Sequence, residues 1–576
     1  GEQRKAEAAD DPLGDILGGS SVDEDAIRNS LESSRENCRN KWDRFKIVEE
    51  KVTPAVIAFR NIEGGVAKVV STLGDYKRLL LCLLVMICAI TATLARHHIS
   101  LRPSRTKKDH VVTTTAQLIA NASLLMSATV YRAEEVEAIA SGVTVSNFYL
   151  HQFWIAGFAL LTAASIYQLI RPPKDLETGG SWPKAFLTIP LYSYMCLSAS
   201  AQFFSQGYFH GTSVYLNMMM ELSSVFLNLA LYIWIGMMLK QTRLTHIFFD
   251  ALRPWRMSPE LMCVVVLAIA AVLTAYPGAS GIFVIAAGAT IYTELRRVGA
   301  RKQLALAATA MSGSMGVVLR PCLLVVIVAT LNNTVTTDEL FSAGARVLLL
   351  TASVYTVYVL FLGGGNLKIA PLSQALPGTA RALVPLIPYV AIFAGVVLAW
   401  NLLLDRGLDE FSAPAILPIV MLLILAWERV VRKVSDPDID EPPERTAGPP
   451  PVGFRQSLLR ATDDSTALIG ALLMLMALTV SVGGLIERSG LLELFPEQLG
   501  SVWVTLALLM AMLVFVGMIM DPYGAVILVN ATIAPIAMNN GIDPLHFWVM
   551  TVLAFEMGYL TPPVALNHLL TRQVVG

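Results

Sequence analysis

Two short runs carry the residue types that a membrane-embedded ion or solute site needs. The first, GVVLRP, runs from Gly316 to Pro321; the second, GYLTPP, runs from Gly558 to Pro563. Each sets a Gly and a Pro five positions apart within an apolar stretch, where both residue types disrupt a helix. A broken helix frees carbonyl oxygens and amide N–H groups. With a hydroxyl such as Ser280 or Thr561, the carbonyls can hold a dehydrated Na⁺, and a half-helix N-terminus presents N–H groups to an anion. Two charged residues lie at the breaks: Arg320 in the first, and Glu556 just ahead of the second. An Arg at bilayer depth costs about 2.5–3.5 kcal/mol even on insertion scales. Arg320 therefore points to an ion pair with an acid, Glu556 being the evident partner, to a clamp on a solute carboxylate, or to snorkelling. A kink that eases packing would explain any single Gly or Pro here, but not these two breaks together with the Pro–Gly interruptions at 277–281 and 522–524.

The breaks belong to a longer repeated unit. PGASGIFVIAAG, from Pro277, and DPYGAVILVNATIAP, from Asp521, each put Pro and Gly after a long apolar arm and before a shorter one. A polar loop follows each, containing Gly299 or Gly541, and seventeen residues later come Gly316 and Gly558. The order hairpin, loop, interrupted helix thus occurs twice with matched spacing. The first loop is basic and the second has no Lys or Arg, which implies opposite membrane orientations. Inverted repeats with discontinuous helices are the sequence sign of a secondary transporter with its site near the midplane.

Composition sets the class. Charged residues make up 15% of the 576 and hydrophobic ones 55%, with a mean hydropathy of +0.58. Soluble domains carry about 25% charged residues, so this is an all-α polytopic membrane protein. A net charge of -1 gives no case for nucleic acid. Cys82, Cys88, Cys196, Cys263 and Cys322 sit singly in apolar runs, as small hydrophobes do. His151, His210 and His568 lack ligand spacing, and there is no nucleophile elbow or zinc-protease motif. Neither a metal enzyme nor any other enzyme is expected, and no organic cofactor.

Apolar runs recur from residue 79 onward, at lengths near that needed to cross about 30 Å of hydrocarbon. The connections 96–108, 240–256, 294–302 and 428–433 are rich in Lys and Arg and are placed in the cytoplasm; 132–137, 332–340 and 405–410 are placed outside. The stretch between two of these basic segments then starts and ends on one side, as a re-entrant hairpin whose tip is Pro277–Gly281. The expected organisation is a polar arm with an interfacial or solvated helix at 1–78, a four-helix scaffold moiety at 79–213, and a first repeat at 214–433. That repeat holds hairpin 259–293 and broken helix 303–331. A cytoplasmic linker at 434–460 leads to a second repeat at 461–576, with hairpin 501–538 and broken helix 544–570.

At 278–321 and 520–569 the sequence resembles the large membrane subunit of TRAP (tripartite ATP-independent periplasmic) transporters. The second stretch is the more specific, with DP, GIDPLHF and GYLTPPVALN in order. The spans at 79–206 occupy the place of that family's small four-helix subunit, so the chain resembles a fusion of both membrane subunits. The resemblance implies an elevator-type transporter in a bacterial inner membrane. It would import a small carboxylate-bearing solute with Na⁺, delivered by a periplasmic substrate-binding protein. It also implies that the broken segments hold Na⁺: Gly278, Ser280, Gly316 and Pro321 in the first repeat; Gly524, Gly558, Thr561 and Pro563 in the second. Solute would lie near Ser280, Arg320, Thr561 and Asn567. Three departures stand out. Arg320 replaces the first of two prolines, Glu556 replaces a small or apolar residue, and family members usually continue through another helix beyond Gly576. The rivals are a stand-alone hairpin-type symporter that needs no binding protein, and a passive channel or membrane scaffold.

Overall fold

The computed structural model describes residues 24–174, 176–275, 280–332, 334–362, 368–404, 407–409, 411–431, 453–490, 501–520, 522–562 and 564–575. Gly278, Asp521, Pro563 and residues 434–452 of the expected linker lie outside these. The chain divides into two units, residues 1–75 and 76–576.

The first unit contains α1 (Glu24–Lys51) and α2 (Pro54–Asp75). They are separated where Thr53 caps the second helix, its Oγ1 accepting from the Val56 N–H at 3.4 Å, with Pro54 as the first helical residue. In α2 the apolar side chains Phe59, Ile62, Val69 and Leu73 are exposed.

The second unit begins with α3 (Lys77–Leu94), α4 (Lys107–Ala140), α5 (Leu150–Ile170), the short α6 (Trp182–Phe186) and α7 (Leu191–Ser205). Next come α8 (Gly211–Met218) and α9 (Ser223–Lys240), and Glu221 between them accepts from Arg78 at 2.7 Å. There follow α10 (Leu244–Leu252), α11 (Pro259–Thr274), α12 (Ser280–Arg297), α13 (Lys302–Met311), α14 (Leu323–Leu331) and α15 (Thr337–Leu362). Then come α16 (Leu372–Leu383), α17 (Ile387–Leu404), α18 (Ala413–Ala426), α19 (Phe454–Arg488), α20 (Val502–Ile519), α21 (Pro522–Asn539), α22 (Pro544–Tyr559) and α23 (Leu566–Val575). Among the described residues, ten helices are long and apolar enough to cross a membrane.

Sequence-local chemistry sets many of the ends. α4 opens with a reciprocal capping box: Asp109 N–H donates to Thr106 Oγ1 at 3.2 Å and Thr106 N–H to the Asp109 carboxylate at 3.0 Å. Ser258 before Pro259 and Asp543 before Pro544 cap α11 and α22 in the same Ncap-then-Pro order. Both loop glycines picked out by the repeat spacing close their helices in the left-handed region, Gly299 at φ 95° and Gly541 at φ 75°. Each closure carries the same reach-back bonds: Ala300 N–H to Leu295 C=O at 3.0 Å, and Ile542 N–H to Ala537 C=O at 3.1 Å. A side chain with a Cβ would be strained there.

The packing repeats as well. α11 lies against the turn at 315–318 as α20 lies against α22, and α9 supports α12 as α19 supports α21. The second half of each broken helix packs on the other copy's second arm: α23 on α12, and α14 on α21. α19 is the spine of the unit. It touches α3, α7, α8, α9 and α21, and 89% of its apolar window is buried inside the protein. It crosses α3 where Gly470 faces backbone, a Cβ there coming within 2.7 Å of Ala89 N, while at Gly483 the nearest atom would be at 3.5 Å.

Gly470→Ala should therefore cost about 1–3 kcal/mol by overpacking and lower the melting temperature of the detergent-purified protein. Gly483→Ala should leave it unchanged or raise it slightly. Equal melting curves for the two variants would contradict this account of the α3–α19 crossing.

Candidate ion and solute site

The first break spans residues 312–322, between α13 and α14, and bends the helix by 42°. Its polypeptide is held by the hairpin before it. Thr274 Oγ1 donates to the Ser312 carbonyl at 3.1 Å, satisfying one of the acceptors that the break frees. Gly316 is pressed onto α11, where a Cβ would overlap the Ala271 carbonyl and come within 2.9 Å of Thr274 Cβ. Gly313 is equally close to the first turn of α12, a Cβ there meeting Ser280 Cα at 2.8 Å.

The second break, residues 560–565, uses the same device. A Cβ on Gly558 would come within 2.8 Å of Gly517 Cα on α20. Thr561 Oγ1 donates to the Met557 carbonyl at 2.6 Å. Ala565, the residue that turns the chain into α23, is non-glycine at φ 47°, a conformation costing about 1–2 kcal/mol for an L-residue. Beside the break a small cavity of about 20 Å³ is lined by residues that include Gly517–Met520, Gly558, Tyr559, Val564 and Leu566. That is room for roughly one water-sized body.

One hydrogen-bond chain joins the two copies. Ser280 Oγ donates to Asn567 Oδ1 at 3.3 Å, and Asn567 Nδ2 donates to Ser314 Oγ at 3.1 Å. Ser280 and Asn567 are completely buried. The tip of the first hairpin, the first break and the start of the second half-helix after the second break thus meet at one amide. A second cross-link runs on the reciprocal surface, where Asn530 Nδ2 on α21 donates to the Leu331 carbonyl at 3.2 Å.

The residues singled out from sequence divide accordingly. Ser280 and Asn567 come together. Gly316 and Gly558 each sit against the first arm of their own hairpin, and Gly524 lies over Thr479 of α19, whose Cγ2 a Cβ would approach to 2.6 Å. Pro321 is buried within the first break. Arg320 stands apart from the amide cluster: it donates to Asp338 at 2.7 Å, lies over the Phe341 ring at 5.3 Å, and its side chain is 53% exposed. Glu556 is 6% exposed and within electrostatic range of the Cys322 thiol, two positions on from Arg320. Ser314, Thr274 and Asn530 were missed. The signal for the first was available, since SGS at 312–314 is polar and small within an apolar run.

These features coincide with a known sequence family. The family model described as "Tripartite ATP-independent periplasmic transporter, DctM component" matches residues 185–576. The chain belongs to this family. It is a multi-pass inner-membrane protein. The helices α3, α4 and α5 precede the matched region, in keeping with a fused TRAP permease. The C4-dicarboxylate TRAP transporter large permease protein DctM of Vibrio cholerae serotype O1 is 24% identical over 314 residues, 52% of this chain and 66% of the relative. DctM of Pseudomonas aeruginosa is 37% identical over 76 residues, 13% of this chain and 18% of the relative. The isethionate TRAP transporter permease protein DctMQ of Oleidesulfovibrio alaskensis is 31% identical over 62 residues, 11% and 10% of the two chains. Each match thus spans less than two thirds of the relative's own length.

The strain at Ala565 is directly testable. Ala565→Val puts a β-branched residue at positive φ and should destabilise by about 1–2 kcal/mol, whereas Ala565→Gly should be neutral or mildly stabilising. Thermal unfolding of the two purified variants reads the difference. A valine variant as stable as the parent would show that the turn relaxes without strain.

Proposed function

We propose that this TRAP-family chain is the permease of a Na⁺-coupled secondary uptake system for a carboxylate-bearing solute. An extracytoplasmic binding protein hands the solute over, and the part carrying the two hairpins and the two broken helices moves as an elevator against a scaffold that includes the four-helix moiety. Family membership supports the reading, and so does the name of the Vibrio and Pseudomonas relatives, which refers to a C4-dicarboxylate; isethionate, a sulfonate, shares only the anionic charge. The observation that carries it is the Ser280–Asn567–Ser314 chain.

These three side chains offer two hydroxyl oxygens and an amide oxygen, hard donors of the kind that suit an alkali cation. They come from three separate elements. They bond to one another through the Asn567 amide. A Na⁺ drawing all three oxygens inward, with break carbonyls completing its shell, would tie the hairpin tip to both breaks and so order the surface on which the solute rests. Ion and solute would then each favour the same arrangement, which is what coupling requires. The Na⁺ role extends to Gly278, Gly316, Pro321, Gly524, Gly558, Thr561 and Pro563 as the segments that shape the backbone. Arg320 attracts the solute anion, its guanidinium oriented by Asp338. Pairing of Arg320 with the buried Glu556 belongs to the same proposal.

Proteoliposome uptake tests the whole. Accumulation should require both an inward Na⁺ gradient and the cognate binding protein; flux without either overturns the reading in favour of a channel, and Na⁺-driven flux without the binding protein in favour of a stand-alone symporter. Asn567→Ala removes the shared amide and should raise the half-saturating Na⁺ concentration about tenfold, the scale of one hydrogen bond to a charged group. Arg320→Gln should cut uptake by about tenfold or more at unchanged expression, and normal uptake would remove Arg320 from the solute path.

A further inference from the structure

A second polar cavity lies at the far end of α23 from Asn567. It has a volume of about 510 Å³ and opens between the loop after α3, the first turns of α4, the end of α5, and α23. Three guanidinium groups, Arg96, Arg105 and Arg572, line it, and no carboxylate is among its described lining residues. Its inner wall is a layer of hydrogen-bonding side chains. His98 Nε2 lies 3.0 Å from Gln117 Nε2, whose amide also donates to Tyr192 Oη at 3.0 Å, and His110 Nε2 lies 3.1 Å from the Gln168 carbonyl. Burial holds the His97 imidazole below its ordinary range despite the nearby Asp464, and pushes His98 down to about 3. Both are therefore neutral near pH 7, and the positive charge of the cavity is that of its arginines. The buried acid in the first turn of α4, Asp109, is already engaged by Arg102 at 3.4 Å and by the capping bonds of that helix.

α23 connects this cavity to the candidate site. Its first turn carries Asn567. Its last turns carry Arg572, which donates to the Leu101 carbonyl at 3.4 Å, and Gln573, whose Nε2 lies 3.1 Å from His97 Nε2. Between the two, Leu570 packs on the bare backbone of Gly281, next to Ser280. The loop 96–108 holds Arg96, Arg102, Arg105, Lys107 and Lys108, which by charge bias places the cavity mouth in the cytoplasm. The volume falls in the range of small-molecule sites, roughly 300–1,000 Å³. Guanidinium forks match the geometry of carboxylate and phosphate oxygens.

We propose that this cavity is an oxyanion-binding site that receives the carboxylate of the transported solute on its way to the cytoplasm, with Arg96, Arg105 and Arg572 supplying the attraction and the His–Gln wall its hydrogen bonds. The role in release rests on the transport reading above. The oxyanion chemistry does not, since it follows from the cavity itself.

Charge-selective thiol labelling tests it on the full chain. Of the six cysteines only Cys38 is exposed, so Cys38→Ser gives a background without accessible thiols, and Ser104→Cys places one on the cavity wall. In phosphatidylcholine nanodiscs, an anionic methanethiosulfonate (sulfonatoethyl) should modify Cys at this position about tenfold faster, relative to the cationic trimethylammonium-ethyl reagent, than it modifies a free thiol. The preference should collapse in Arg105→Gln/Arg572→Gln, and millimolar succinate should slow the anionic reagent. Equal rates for the two reagents, or no effect of the double substitution, overturn the oxyanion site. Protection by inorganic phosphate but not succinate overturns the assignment to a carboxylate. Protection on moving to phosphatidylglycerol nanodiscs, with none from succinate, assigns the cavity to a lipid headgroup and overturns the role in release. Labelling needs neither an ion gradient nor a binding protein, so its failure is distinguishable from a failure of Na⁺-coupled uptake.

Discussion

A helix interrupted at membrane depth leaves backbone N–H and C=O groups that lipid cannot satisfy, and this constraint organises the transporter-like part of the chain. Both interruptions answer it by bringing another backbone into direct contact. Gly316 lies on the Ala271–Thr274 turn of α11, and Gly558 lies on Gly517 of α20. At each place the absence of a Cβ is what lets the two main chains meet. Thr274, which bonds the Ser312 carbonyl across the contact, shows how the freed groups are then satisfied. The apolar bulk around the breaks does not itself specify a site, since lipid is as apolar as leucine. Close backbone approach and shared polar atoms do.

The exchange of half-helices between the copies follows from the same constraint. α23 rests on α12 and α14 rests on α21, so each copy's second half-helix is seated on the other copy. The amide of Asn567 is the point at which this becomes chemistry, because its two ends bond one residue of the first hairpin and one of the first break. A site assembled from three elements that share no chain continuity responds to displacement of any one of them. That is a property suited to a carrier, in which binding and movement must be linked, more than to a static pore.

Much of this was legible in the sequence, for reasons that differ by residue. The seventeen-residue and five-residue spacings exposed the repeat, and Gly299 and Gly541 proved to share a backbone conformation as well as a position, because only glycine adopts that turn without strain. Ser280 and Asn567 were reachable as candidates, but their contact was not, since they are 287 positions apart and no local rule carries a register over that distance. Arg320 shows the opposite limit. Its charge drew attention to the breaks, yet Asp338, eighteen positions on and across a bend, takes its guanidinium, and one-dimensional spacing is silent once a helix axis changes direction. The turn at 219–222 between α8 and α9 was hidden too, because the chain is apolar on both sides of it.

The spine helix α19 has a consequence for how the two regions of a fused permease stay together. On one flank it meets the preceding helices through Gly470 against α3, through Ser481 donating to the Thr212 carbonyl at 3.1 Å and through Thr479 reaching Met195 Sδ at 3.6 Å; on the other, the same Thr479 seats Gly524 of α21. Adhesion inside a bilayer gains nothing from hiding oil from water, so the union of these regions is one of fit: a notch, two hydroxyls and a sulfur read by shape. Thr479 belongs to both surfaces at once, and a side chain with two such neighbours is a bearing rather than a glue. A change at this one position is felt on both flanks of the spine.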